Sequence, residues 1–437
     1  MKTLEKNWNN GQILSVTYDG NGDGEAIFES EINEGIDREL SVQFSGGGVQ
    51  VERLVKQEGL RQPIALNGGG VFRVAGGGRF GVLKSAKTLP YLCIEALEDG
   101  LTFSITKSNV EYSTDGSNWA TLPAGTKSIA INANERIYVK ATGLTPTSSD
   151  GIGTFVVNKK FNLSGTVMSM LFGDEAAQNN NLSGKDYAFY KLFSNAVNLM
   201  AVSKGFLPAT TLSMQCYRQI FRGCTNLKEA PDLPATSLAN ACYQFMFYQC
   251  TGLVKAPKLP AMDLADSCYV NMFQGCSSLK EAPELPAEVL APSCYNTMFR
   301  DCTSLEIPPV LTSTTLANYC YTSMFQNCTK LAYAPELPAD ILTVSCYRYM
   351  FSGCSNLESS PVLAADTLTN YCYSYMFEKC AKLNSIKMLA VNTSATNCLT
   401  NWVDGVASTG TFTKSNNNNN IPIGISGIPN GWTVISE

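Results

Sequence analysis

Residues 233–258 read LPATSLANACYQFMFYQCTGLVKAPK, and residues 259–284 repeat the pattern as LPAMDLADSCYVNMFQGCSSLKEAPE. One cysteine of this unit recurs every 26 residues, at positions 216, 242, 268, 294, 320, 346, 372 and 398. A second cysteine follows eight residues later, at positions 224, 250, 276, 302, 328, 354 and 380. A repeat this strict is typical of a solenoid, in which each unit buries its apolar face against the next. The pattern therefore predicts that function is carried by an extended, repetitive surface.

The first half of the unit has the spacing expected of a helix. Its apolar positions fall at offsets 0, 4, 8, 9 and 12, which are Leu238, Cys242, Met246, Phe247 and Cys250. Such offsets keep side chains on one helical face. A capping type of residue, here Thr236, stands just before the run, where a helix N-cap is needed. Equivalent positions in other units hold Asp263, Thr315, Asp340 and Asp366.

The second half of the unit has the features of a short strand. Leu227 to Leu233 includes Pro231, and a proline is not tolerated in a helix interior. Each coil is therefore predicted to be one helix plus one short strand, giving an α/β solenoid of 26-residue coils over residues 172–437. One leucine of each coil is predicted to form a single buried column, at Leu227, Leu253, Leu279, Leu305, Leu331, Leu357 and Leu383.

Cysteine usage has two readings. Sixteen cysteines are typical of a secreted disulfide scaffold, yet fifteen of them keep the repeat register, and cysteine at a repeated buried position behaves as a small hydrophobic residue. Free buried thiols are therefore favoured, with disulfides as the alternative. The chain has no histidine and no CxxC pair, which removes the usual zinc spacings. We expect no metal site and no cofactor.

Composition excludes several classes of partner. The formal net charge is −5 and only 16% of residues are charged, so nothing suggests nucleic-acid binding. The apolar runs are much shorter than a membrane span. The opening residues, MKTLEKNWNNGQILSV, lack the apolar core of a secretion signal. We therefore expect a chain that does not leave the cell by that route.

Two β units are predicted before the repeats, at residues 1–85 and 86–171. Short alternating runs such as residues 12–18 and 39–45 are separated by Gly, Asn and Asp turns. The stretch DRELSVQFSGGGVQVERLVKQEG at 37–59 resembles the closing strands of the BACON domain, an immunoglobulin-like sandwich common in gut Bacteroidetes and their phages. The resemblance implies that all-β immunoglobulin-like domains precede the solenoid.

The loop DGNGDG at residues 19–24 has two interpretations. Asp19, Asn21 and Asp23 alternate as in the first half of a calcium loop. The twelfth position is Ser30, however, so the bidentate carboxylate of such a loop is out of register. A hairpin turn between two strands explains the same residues without a metal.

The repeat itself resembles a known family. The motif MFxxCxxL followed by APxLP is similar to the BspA-type leucine-rich repeat, and the tail TGTFTKSNNNNNIPIGISGIPNGWTV at 409–434 resembles the end of such surface proteins. The family implies cell-surface or virion-displayed binding proteins and adhesins, and it carries no catalytic residues to transfer. The absence of histidine also removes the usual base for a Ser or Cys nucleophile. We expect that the chain is not an enzyme.

The residues that vary between units are candidates for ligand contact. Exposed aromatic side chains and arginines among small polar residues are typical of a binding surface. The candidates are Phe245, Tyr248, Tyr333, Tyr349, Tyr375, Arg300 and Arg348. A solvated face whose sequence drifts freely is the alternative explanation.

The predicted function is recognition of a host cell-surface glycan or protein. The leading hypothesis is a phage virion protein, a fibre or a head or tail decoration, displayed on the virion surface. Its N-terminal domain would contact other virion proteins. The alternative is a bacterial cell-surface or extracellular adhesin that binds mucin or glycans.

Overall fold

The computed structural model describes residues 89–418 and 420–437 in full and, before them, the backbone of five strands. The chain divides into two compact units, Met1–Thr88 and Leu89–Glu437.

The first unit contains a three-stranded sheet and a separate hairpin. Its strands are β1 (Gln12–Tyr18), β2 (Gly24–Glu29), β3 (Glu39–Gly46), β4 (Val49–Lys56) and β5 (Gly70–Val74). In the sheet, β1 pairs with β2 antiparallel and β2 with β5 parallel. The hairpin joins β3 to β4, antiparallel from Glu39 opposite Lys56 to Gly46 opposite Val49. The alternating runs thus form strands as predicted. The BACON-like, immunoglobulin-like arrangement stays a prediction, and the candidate calcium ligands Asp19, Asn21 and Asp23 lie outside the described residues.

The second unit begins with a β region. Its strands are β6 (Leu92–Ala96), β7 (Phe103–Ile105), β8 (Val110–Ser113), β9 (Ala120–Leu122), β10 (Arg136–Lys140), β11 (Phe155–Val157), β12 (Phe161–Ser164) and β13 (Leu199–Val202). One six-stranded sheet has the order β13-β12-β6-β10-β8-β9, and β11 pairs with β7. One α-helix, α1 (Ser169–Phe172), and two 3₁₀ helices, Gly173–Gln178 and Lys204–Phe206, follow or interrupt it. Within the part of the chain that the structure describes, no helix is long and apolar enough to cross a membrane.

This β region shares its core with the repeats. Strand β13 belongs to the first repeat and pairs in parallel with β12. Next to this pair, the Phe155 ring stacks on Phe193 of the first repeat at a centroid distance of 5.0 Å. One cluster of buried residues extends from Leu92 to Trp432. The predicted division into residues 86–171 and 172–437 stays a prediction, and the cluster of buried residues runs through residue 171 without a break.

The predicted helix of each unit is wrong. In its place, the chain from the residue before the first cysteine to the second cysteine forms a run of successive turns, which we call the turn ribbon. In the ribbon 241–250, the amides of Gln244, Met246 and Tyr248 donate to the carbonyl three residues earlier, with N–O distances of 3.1–3.2 Å. The alternate amides donate to the next unit: Tyr243 N to Cys268 O at 3.1 Å and Phe245 N to Val270 O at 2.9 Å. Because half of the amides bond outward, no i to i−4 helix forms.

Every fourth residue of the ribbon has a left-handed backbone. In ribbon 241–250 these residues are Ala241, Phe245 and Gln249, with φ of 50°, 56° and 57°. Each is the third residue of a turn, the position at which a type II turn requires positive φ. The left-handed position just before the second cysteine, which Gln249 holds here, is a glycine in several other ribbons. Glycine adopts this conformation without a Cβ penalty, as at Gly223, Gly275, Gly353 and the equivalent Gly405. The predicted N-cap residues, including Thr236 and Asp263, therefore cap no helix.

After β13 in the first repeat, the extended half of the unit forms continuous strands again near the C-terminus. There β14 (Ser359–Leu363), β15 (Ser385–Met388), β16 (Thr411–Lys414) and β17 (Thr433–Ser436) make a parallel four-stranded sheet. Earlier units show isolated parallel bridges, such as Glu229 with Lys255. A proline occupies one position of the segment in each of these units and cannot donate to a ladder. In this sheet β14 still holds the proline, as Pro361, whereas Lys387 replaces it in β15, the first strand of the four to pair on both sides.

Columns of identical side chains fill the core. The predicted leucine column is confirmed, since its seven members are each 0% exposed. Tyrosines after the first cysteine stack from Tyr217 to Tyr373, with centroid distances of 5.8–6.1 Å. Phenylalanines stack in a second column from Phe193 to Phe377. Repetition of one sequence thus places like against like through the whole stack.

Both cysteine series are buried, free thiols, as is Cys93 outside the repeats. In the second series each Sγ donates to the carbonyl of a phenylalanine in the preceding unit. Cys302 Sγ lies 3.1 Å from Phe273 O, and Cys328 Sγ lies 3.1 Å from Phe299 O. These thiols therefore join consecutive units as well as filling space.

Candidate recognition surface

The outward positions of the turn ribbons form a continuous face across the units. The two residues after each Cys-Tyr pair and the two after each Met-Phe pair are mostly half-buried or exposed. Amide hydrogen bonds between ribbons fix the register, so equivalent residues of neighbouring units lie side by side. We call this the ribbon face.

The first three ribbons carry one aromatic cluster, which we call the Arg218 cluster. Cζ of Arg218 lies 5.4 Å from the Tyr190 ring centroid and 5.9 Å from that of Phe245. The guanidinium thus contacts one ring from the preceding unit and one from the following unit. Beside it, Arg222 lies over the Tyr248 ring at 5.3 Å, and Phe245 contacts Tyr248 edge-on with centroids 5.5 Å apart. Such cation–π contacts hold the side chains in place.

A second cluster of the same design lies further along the stack. We call it the Arg348 cluster. Cζ of Arg348 lies 5.1 Å from the Tyr349 ring and 5.5 Å from the Tyr371 ring. Tyr349 also stacks on Tyr375, with centroids 4.5 Å apart and planes 5° apart. Again an arginine lies close to aromatic rings of two adjacent units.

Polar side chains occupy the ribbon face between the two clusters. Asp301 accepts hydrogen bonds from Asn327 Nδ2 at 2.8 Å and from Gln274 Nε2 at 3.3 Å. Asn271 in turn donates to Gln274. Arg300 lies 3.5 Å from the Asp301 carboxylate, so this arginine is paired within its own unit.

Positive charge is distributed unevenly over the repeats. All four arginines after residue 185 lie on the ribbon face, at positions 218, 222, 300 and 348. Lysines lie mostly in the segments between ribbons, for example Lys228, Lys255 and Lys280, although Lys191 and Lys379 occupy ribbon positions. Among the residues that the structure describes, no carboxylate lies within ion-pair distance of Arg218, Arg222 or Arg348. These three guanidinium groups therefore keep an uncompensated charge.

The structure brings some predicted site residues together and separates others. Phe245 and Tyr248 meet in the first cluster, and Arg348, Tyr349 and Tyr375 meet in the second. Arg300 lies between the clusters, paired to Asp301. Tyr333 is 54% exposed but lies in the extended segment, outside the ribbon face. The assignment of these residues to ligand binding stays a prediction.

Sequence reasoning missed Tyr190 and Tyr371 as cluster members. Tyr190 belongs to the first repeat, which starts 28 rather than 26 residues before the next and so falls out of register. Tyr371 directly precedes Cys372, at a column that holds serine in several units. The four-residue period of the ribbon places that column, like the residues after Cys-Tyr, on the outside. A search by period four would have found it.

The thiols are chemically quiet in this setting. Burial raises the pKa of Cys216 to about 12, against weak opposing hydrogen bonds from the backbone. The pKa of Cys354 is raised to about 12 for the same reason. A thiol that stays protonated is a poor nucleophile and a poor metal ligand. In the described ranges, no group of three or more His, Cys, Asp or Glu side chains is placed to hold a metal ion.

Residues 185–332 and 293–402 match the BspA type leucine rich repeat region, with six copies. The repeats of this chain therefore belong to the BspA-type leucine-rich repeat family, in agreement with the motif resemblance. Searches of curated proteins and of solved structures gave no match. Repeats of this family are typically scaffolds for protein interaction rather than catalytic domains.

Proposed function

We propose that this chain is a non-enzymatic recognition protein that binds a cell-surface glycan or protein through the ribbon face of a solenoid. The observation that carries the proposal is the pair of arginine–aromatic clusters on one face of a regular repeat scaffold. Aromatic side chains and arginine dominate the energetics of binding surfaces: rings bury large areas with few rotatable bonds, and arginine presents five N–H donors on one planar group.

Order within the clusters supports a role in binding. The guanidinium groups and rings hold one another before any ligand arrives, so little side-chain entropy is lost on association. A freely drifting solvated face gives no reason for arginine to be confined to this face, and none for it to meet aromatic rings in two separate places.

The setting forms a second part of the proposal. The chain would be displayed on a virion surface, as a fibre or decoration protein, with the Met1–Thr88 unit, proposed to be a BACON-like immunoglobulin-like domain, contacting other virion proteins. Display on a bacterial cell surface is the alternative setting. Immunogold labelling of purified particles and of intact cells distinguishes the two.

Binding of the full-length chain to immobilised host-surface glycans and to whole cells tests the first part. Replacing both Tyr349 and Tyr375 by Ala removes the stacked pair from the Arg348 cluster. We expect a loss of affinity of about tenfold or more, since each aromatic contact is worth on the order of 1 kcal/mol.

Tyr333→Ala is the comparison variant, because Tyr333 is also a predicted ligand contact but is an exposed tyrosine outside the ribbon face. We expect it to leave binding unchanged. If Tyr333→Ala lowers affinity and the double variant does not, the binding surface is the extended segment and the ribbon face is decoration. If the wild-type chain binds neither glycans nor cells, the proposed function is wrong.

A further inference from the structure

From the chemistry of the two clusters we infer the class of ligand. We propose that the ribbon face binds an acidic polysaccharide, with the Arg218 and Arg348 clusters each holding one carboxylate or sulfate group of the same extended chain. This inference rests on the proposed function and narrows it to one type of ligand.

Two aromatic rings lie close to the guanidinium group of each of the two arginines. The rings of Tyr190 and Phe245 lie within 6 Å of the Arg218 guanidinium carbon, and those of Tyr349 and Tyr371 lie within 6 Å of that of Arg348. A cation–π contact does not use two N–H donors side by side as a carboxylate does, so it leaves that paired hydrogen bonding to a ligand. In-plane donors form the paired hydrogen bonds that arginine makes to carboxylate and to oxyanions of similar geometry.

Arg218 and Arg348 have hydrogen-bond donors and positive charge that no described residue uses. Arg218 gives one hydrogen bond, from Nη1 to Gln215 Oε1 at 2.6 Å. Nε is covered from solvent and has no hydrogen-bond partner in Arg218, Arg300 and Arg348 alike, so an external anion would meet the Nη groups. No carboxylate of the described residues neutralises Arg218 or Arg348, whereas Arg300 between them is paired with Asp301. Two arginines of otherwise similar setting thus lack the anion that the third one has.

The distance between Arg218 and Arg348 limits which ligands can contact both. Five repeat intervals of 26 residues separate Arg218 from Arg348. Parallel hydrogen-bonded strands lie about 4.8 Å apart, which puts the two arginines on the order of 25 Å from each other. A single small anion cannot reach both. A polymer with charges at regular intervals can, and its second contact then forms at high effective concentration.

The residues between the clusters favour a polysaccharide over other charged polymers. The face between the clusters offers amide and hydroxyl groups, such as those of Asn296, Thr297 and Gln326, together with the exposed ring of Tyr319. Such groups suit the hydroxyls of sugars, and the aromatic rings suit sugar faces. Nucleic acid carries a phosphate on every nucleotide and is bound by dense patches of Lys and Arg, whereas the arginines of the ribbon face are few and widely spread along the stack. An acidic protein is the remaining competitor, and it becomes an outcome of the test.

The test uses the full-length chain and four immobilised probes: hyaluronate for carboxylate, chondroitin sulfate for carboxylate with sulfate, neutral dextran, and poly-L-glutamate. We expect binding to one or both acidic polysaccharides, weakened by added salt because the contacts are ionic. If a carboxylate without sulfate is enough for binding, long hyaluronate should bind more tightly than its short fragments. Dextran and polyglutamate should bind at least tenfold more weakly than the preferred polymer.

Arg218→Gln and Arg348→Gln each remove one anion contact. Either change should lower affinity for the long polymer by about tenfold or more, to the level of its short fragments, because the two-point contact is lost. Lys280→Gln is the control, since it removes the same charge from an exposed position outside the ribbon face. We expect no change from it.

Three results would overturn the inference while leaving the proposed function intact. They are equal binding to dextran, preference for polyglutamate, and loss of affinity in Lys280→Gln equal to that in the arginine variants. Binding to cells that survives both arginine substitutions would have the same meaning. Absence of binding to every probe and to cells would instead reject the proposed function itself.

Discussion

At the scale of single residues, the second cysteine series does more than fill space. Its thiol is both a small apolar group in the core and a donor to the preceding unit, as in the 3.1 Å contact from Cys302 Sγ to Phe273 O. The first series is equally buried, yet Cys294 Sγ donates to no carbonyl among the described residues. Cys398, at the end of the first series, does donate, to Thr393 O at 3.2 Å. The pair Cys294 and Cys302 therefore compares a thiol that only packs with one that also donates a hydrogen bond.

Replacing each of these cysteines by alanine measures the difference. Both changes remove one buried sulfur, and Cys302→Ala also removes the S–H donor. We expect Cys302→Ala to lower the free energy of unfolding by about 0.5–1.5 kcal/mol more than Cys294→Ala does, the usual net value of a hydrogen bond. Urea unfolding of the two variants checks this. Equal losses would show that the sulfur–carbonyl contact adds nothing to packing.

At the scale of elements, the turn ribbon shows which parts of the fold the sequence could reveal. The leucine column and the strand-like segment followed from period and proline position. The helix did not form, although the offsets of Leu238, Cys242 and Cys250 fit one helical face over a short run. Buried residues come in pairs every four residues, as in Cys242-Tyr243 and Met246-Phe247. A helix rotates by 3.6 residues per turn and would carry such pairs off its face, so the period of four was the signal that distinguishes the ribbon.

The candidate surface could also be predicted only in part from the sequence. Variation after Cys-Tyr and Met-Phe marked Phe245 and Tyr349 as outward-facing. Their partners could not be deduced, because contacts such as Arg348 with Tyr371 depend on register between units. That register comes from amide bonds across ribbons rather than from a helix.

Left-handed positions of the ribbon give a prediction for this element. Thr297 has φ of 55°, although a β-branched residue is disfavoured there. Asn271 holds the same column one unit earlier, and asparagine tolerates this conformation. We expect Thr297→Asn to raise the thermal midpoint and to add about 1 kcal/mol of stability, at the low end of the strain cost of such a residue.

Thr322→Asn serves as the control, because Thr322 lies on the same face but not among the left-handed positions, and its hydroxyl donates to Ser345 O at 2.6 Å. That change should not stabilise the protein. A fall in the midpoint for Thr297→Asn would mean that the hydroxyl bond from Thr297 to Asn296 O outweighs the backbone strain.

At the scale of the whole molecule, one core from Leu92 to Trp432 joins the β region to the repeats. The ends of the stack are closed by different devices. Strand β12 pairs with the first repeat, and Trp402 stacks on Tyr373 while its Nε1 donates to Gly427 O at 2.8 Å. A boundary near residue 171 looked natural in the sequence because strand patterns end there. The pairing of β12 with β13 joins the two parts, and no pattern in the sequence reveals that pairing.

The shared core makes stability depend on pH through the buried thiols. Burial raises the pKa of Cys216, Cys268 and Cys320 to about 12, and other members of both columns shift in the same direction. In an unfolded chain a thiol titrates near pH 8.5. Above that pH the unfolded chain binds fewer protons than the folded one, so the free energy of unfolding falls as pH rises. Each fully buried thiol removes about 1.4 kcal/mol per pH unit until its folded pKa is reached.

We therefore expect a thermal midpoint that is flat from about pH 6 to 8 and falls steeply above about pH 9, since many thiols titrate together in the unfolded chain. Circular dichroism melts in the presence of a phosphine reductant measure it. A variant with Cys276→Ala and Cys302→Ala should melt lower at pH 7, because two cavities form. It should also show a shallower fall between pH 8 and 10, because two titrating groups are gone. A midpoint that stays level to about pH 11 would mean that the thiols titrate alike in both states, and that the columns are open to water when the protein is folded.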